Sequence, residues 1–105
     1  MIENYDKLVR DNIPDRIISQ GNIPMTRILS GQEYKTYLNK KLKEEVDEYL
    51  SENSIEELCD IAEVIKAICA SMGISDEQFE AEVQAKRLRS GGFKNRVLLD
   101  KVITK

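Results

Sequence analysis

Histidine is absent from this chain, and tryptophan with it. Without imidazole there is no Ser-His-Asp or Cys-His nucleophilic site, no His-ligated zinc and no imidazole acid–base catalysis. Any catalysis falls to carboxylates, Lys, Tyr, Cys or a metal held by oxygen. The two cysteines, Cys59 and Cys69, are too few for an all-cysteine zinc site and form no C-x-x-C pair, so reduced thiols in a cytoplasmic protein are expected. No apolar run reaches the roughly 18 residues of a membrane span. The opening MIENYDKLVRDN lacks the apolar core of a secretory signal. Aromatics are only 6% against 41% hydrophobic residues, which favours packed aliphatic helices over a β-sandwich. Acids outnumber bases 19 to 16, so neither a broad nucleic-acid-binding surface nor a membrane partner is expected. Any phosphate site must be local.

What is present reads as one domain spanning residues 1–105, a length at which folding buries about two thirds of the unfolded surface. Asn12-Ile13-Pro14 predicts a short helix to Gln20, ended by Gly21. Ser30-Gly31-Gln32-Glu33 has the pattern of a capping box and opens a long amphipathic segment to about Ser51. Ser54-Ile55-Glu56-Glu57 repeats the signature, and the apolar spacing from Leu58 to Met72 predicts a second main helix closed by Gly73. With so short a link the two form an antiparallel hairpin. A third helix runs from Ser75 to about Arg89, before Gly91-Gly92. The fold class is thus all-α, with one further option: a short β pair between the Arg27 region and the tail from Phe93 to Thr104.

The acids carry the chemistry. At about 100° per residue, Glu45 falls inside the apolar arc formed by Tyr34, Leu38, Leu42, Val46, Tyr49 and Leu50, and Glu48 lies on its edge, roughly 60° away. Glu57 and Asp60 hold the same two positions relative to the arc of the next helix. Either pair alone is an ordinary solvated helix face; the matched placement of both raises the odds of a site. Clustered carboxylates at a core stripe need positive compensation. The nearest bases on these helices, Lys41, Lys43 and Lys66, fall on or outside the arc's edge, so a divalent cation is the economical partner. An all-oxygen set suits Mg²⁺ or Mn²⁺, and Mg²⁺ commonly bridges to substrate phosphates.

A second cluster is basic: Lys86, Arg87, Arg89, Lys94 and Arg96 surround Gly91-Gly92 in an otherwise acidic chain. The glycines match no phosphate-binding loop and read as a helix terminus. Lys86, Arg89, Lys94 and Arg96 are candidates for holding phosphate oxygens, the alternative being plain surface charge. Lys7 and Arg10 carry no signal of their own.

EEVDE (Glu44 to Glu48) followed by ELCD (Glu57 to Asp60) resembles the E-E-x-x-E and E-x-x-D signature of the all-α nucleotide pyrophosphohydrolases, the MazG-like superfamily. YDKLVRDNIP, TRILS and RSGGFKNRVLL resemble its phosphoribosyl-ATP pyrophosphohydrolase-like branch. The resemblance implies Mg²⁺ dependence, assembly into homodimers or larger, and hydrolysis of a nucleoside triphosphate to monophosphate and pyrophosphate. It makes Glu45, Glu48, Glu57 and Asp60 the metal ligands and Glu44 a further ligand or water-orienting carboxylate. The segment between the two pairs is shorter than in many such sequences, which brings Glu56 and Glu63 into range. Two alternatives stand beside it: phosphoribosyl-ATP as the substrate, and a nucleotide-sensing helical module without catalysis.

Overall fold

The computed structural model describes residues 1–105 as four helices and no strand: α1 (Ile13–Ser19), α2 (Gly31–Glu52), α3 (Ile55–Ser71) and α4 (Asp76–Ser90). The connection between α2 and α3 is two residues long, and Asn53 takes the left-handed conformation at φ 54° that reverses the chain. Asn tolerates that region better than most residues because its short amide bonds locally. The hairpin α2–α3 is the main helix–helix packing; α4 leans on α3 over a smaller area, and the backbone of α1 closely approaches none of the other helices. No helix is long and apolar enough to cross a membrane.

Helix starts fall where the sequence places them, but their caps differ. At Ser75 the box is complete, with the hydroxyl accepting from Gln78 N–H at 3.1 Å and Ser75 N–H donating back to the Gln78 amide at 2.9 Å. At Ser30 the expected box does not form, because Glu33 is taken in a two-pronged pair by Arg27 at 2.9 and 3.0 Å. A charged fork is a stronger partner than a backbone amide. Ser54 likewise makes no cap bond; its hydroxyl donates to the Glu57 carboxylate.

Two expectations are overturned. Neither the Arg27 region nor the tail pairs as a strand. A lone two-stranded ribbon is marginal in water, and nothing here supplies a third strand. Nor does the chain close over an aliphatic core. Only Leu38, Glu45, Val64 and Cys69 are buried, while Ile23, Met25, Ile28, Leu88, Phe93 and Val97 are among the large apolar residues left in solvent. The accessible surface is 9680 Å², where a compact chain of this mass shows about 6000 Å², so folding buries under half of the unfolded surface rather than two thirds. The radius of gyration, 18.6 Å, likewise exceeds the roughly 13 Å of a compact domain.

Candidate metal centre

Facing turns of α2 and α3 bring Glu45, Glu48 and Asp60 together, each offering a carboxylate oxygen within 4.8 Å of the others. Their depths differ: Glu45 is only 6% exposed, Asp60 is half-buried and Glu48 sits at the exposed rim. The wheel position of Glu45 inside the apolar arc accounts for its burial beside Leu38 and Val64.

Three bases answer these acids. Lys41, one turn back on α2, places its ammonium 3.3 Å from Glu45 Oε1 and 3.2 Å from Glu44 Oε2. Lys7 Nζ reaches Glu44 Oε1 at 3.1 Å, and Arg10 Nη2 donates to Asp60 Oδ1 at 2.8 Å. The sequence reading discounted Lys41 for lying at the arc's edge. Its long stem nevertheless carries the charge inward, as (i, i+3) and (i, i+4) spacing permits. Burial would push the Lys41 ammonium down, but its bonds to Glu44 and Glu45 outweigh that and raise it. Burial pushes Glu44 up; the hydrogen bonds from Lys7 and Lys41 win, holding its carboxyl below the ordinary value. For Glu45 burial prevails over Lys41, and the charges of Glu48 and Asp60 add to it, so its carboxyl is raised.

The compensation is incomplete at one atom. Glu45 Oε2 is fully buried and has no hydrogen-bond partner. An orphaned carboxylate oxygen is costly unless something positive meets it. With Glu48 and Asp60 it forms an all-oxygen donor set of the kind that suits a hard divalent cation such as Mg²⁺ or Mn²⁺. The residues present therefore fit such an ion.

The centre opens on a groove of about 610 Å³ between the N-terminal segment, α1 and the hairpin, with both acids and bases in its walls: Arg10, Asp11, Arg16, Lys41, Glu45, Asp60 and Glu63. Glu57 stands outside the carboxylate cluster, bonded to Ser54, and Glu56 is exposed on the first turn of α3. Glu44 adjoins the cluster through Lys41. Lys86, Arg89, Lys94 and Arg96 are all exposed, and none lines the groove or pairs with its acids. The cations at the site, Lys7, Arg10 and Arg16, come from the other end of the chain. Lys41 was legible as an (i, i+4) partner of Glu45; Lys7 and Arg10 meet residues 37 and 50 positions away, a relation no local pattern encodes. Comparisons with family models, curated proteins and solved structures find no match to this chain.

Proposed function

We propose that the chain is a Mg²⁺-dependent nucleoside triphosphate pyrophosphohydrolase, releasing a nucleoside monophosphate and pyrophosphate, with clearance of non-standard nucleotides as the physiological role. The observation that carries the reading is the buried, unpartnered Glu45 Oε2 in a cluster with Glu48 and Asp60. Resemblance of EEVDE and ELCD to the MazG-like signature supplies the reaction class.

Glu45, Glu48 and Asp60 hold the cation, with Glu57 a further ligand on the resemblance. When bound, Mg²⁺ neutralises phosphate charge and makes a nearby water more acidic. Glu44, kept ionised by Lys7 and Lys41, is suited to orient the attacking water and accept its hydrogen bond. No Ser or Cys lines the groove, which favours direct attack by water over a covalent phosphoenzyme. The new oxygen then enters the α-phosphoryl group and intact pyrophosphate leaves. The surplus apolar surface further supports a homodimer or larger assembly.

Reaction in ¹⁸O-labelled water, with both products weighed, tests the bond broken. Label in the monophosphate is expected, and Glu45→Gln and Asp60→Asn should each abolish Mg²⁺-dependent turnover. Label in pyrophosphate, orthophosphate as the first product, or full activity in both variants would refute the assignment.

A further inference from the structure

We propose that Arg10 is the phosphate-binding residue of this site, stored on Asp60 and handed to the phosphates when a cation takes that carboxylate over. The inference rests on the metal-centre reading above.

The ion pairs around the centre divide into two kinds. Lys41 and Glu45 are enclosed, with side chains 15% and 8% exposed, and their pair is fixed within one helix. Arg10 and Asp60 are 54% and 37% exposed, and Lys7 and Glu44 are 41% and 28% exposed. Pairs this open to water are weak, and they exchange partners readily. A cation drawing on the Asp60 carboxylate competes with Arg10 for its charge, so occupation of the cluster loosens the guanidinium from Oδ1.

Where it goes is constrained. The Arg10 carbonyl accepts from Ile13 N–H at 3.1 Å, which ties its backbone to the start of α1, and the residue lines the groove. A polyphosphate entering that groove meets Asp11 and Glu63 as well as the cluster, and needs cations facing it. The C-terminal bases do not line the groove. Arg10 does, and its planar fork matches two phosphate oxygens. Metal and phosphate binding are thereby coupled through the Arg10 side chain.

The full chain tests this without turnover, by titrating Mn²⁺ alone and then inorganic tripolyphosphate onto the Mn²⁺-loaded protein. Arg10→Gln should bind Mn²⁺ alone up to about fivefold more tightly, because an internal competitor is gone. The same variant should bind tripolyphosphate roughly tenfold or more weakly, with part restored in Arg10→Lys. Lys94→Gln should shift neither affinity. Opposite shifts in two affinities are not produced by a damaged fold. Loss of both affinities in Arg10→Gln, or unchanged tripolyphosphate binding, overturns the inference and leaves the metal centre standing. So does a wild-type protein that loads Mn²⁺ but takes up no tripolyphosphate. A wild-type protein that binds no Mn²⁺ overturns the metal centre and this inference together.

Discussion

Glu45 concentrates the conflict between folding and function. Its raised carboxyl means that the folded state holds this proton more firmly than the unfolded chain does, chiefly because burial disfavours the charge. The stability contribution is therefore present below the unfolded value, near pH 4.3, and is lost as pH rises through the higher folded value. Glu44 runs the other way: held below its ordinary value by Lys7 and Lys41, it stabilises above the unfolded value and loses that contribution as pH falls through the folded one. Glu45→Gln removes the buried charge while Lys41 keeps Glu44 as partner. In chelator at pH 7 the variant should gain on the order of 1 kcal/mol, shifting the melting temperature up by about 4–8 °C. At pH 4, where the wild-type carboxyl is already protonated, the gain should vanish. A Glu45→Gln protein less stable than wild type at pH 7 in chelator would show that Lys41 needs both carboxylates and that Oε2 is no liability.

At the scale of elements, the sequence placed each helix to within a residue or two, because apolar spacing and terminal residues are local signals. Asn53, Gly73 and Gly91 end their helices at positive φ as their chemistry allows. The caps show where locality stops. Ser30 and Ser75 open helices with the same S-x-x-E/Q pattern, yet Arg27 removes Glu33 from one box and nothing removes Gln78 from the other. Ser75→Ala should consequently cost about 1 kcal/mol in chemical unfolding, whereas Ser30→Ala should cost only a few tenths. Equal losses would mean that cap position, and not the side-chain bond, is what stabilises these ends. The same limit hid half of the site. Glu45, Glu48 and Asp60 follow from the helical wheel plus one short turn, but the pairing of Arg10 with Asp60 depends on how the N-terminal segment returns over the hairpin. The basic cluster around Gly91-Gly92 was conspicuous in composition, and it stands away from the groove.

The whole molecule extends 65 × 31 × 24 Å, with about 3700 Å² more accessible surface than a compact chain of 12.1 kDa exposes. At roughly 25 cal/mol per Å², the apolar part of that excess is a large penalty against the marginal stability of any domain this small. Part of it lies on Val97, Leu98, Leu99, Val102 and Ile103 of the tail and part on Leu50, Ile55 and Leu58 of the hairpin. The tail is exposed along its length, and under the proposed homodimer a second copy is the occupant that leaves every chain equivalent. On that proposal folding and association are one transition, and the melting temperature should rise with protein concentration. Sedimentation at micromolar concentration should give a dimer or larger species, and Leu98→Asp together with Val102→Asp should move it toward monomer and lower its stability. A wild-type chain that sediments as a 12.1 kDa monomer, with a scattering radius near 13 Å, would show instead that the tail folds back on its own hairpin. In that case the apolar surface would be covered from within, and melting would be independent of concentration.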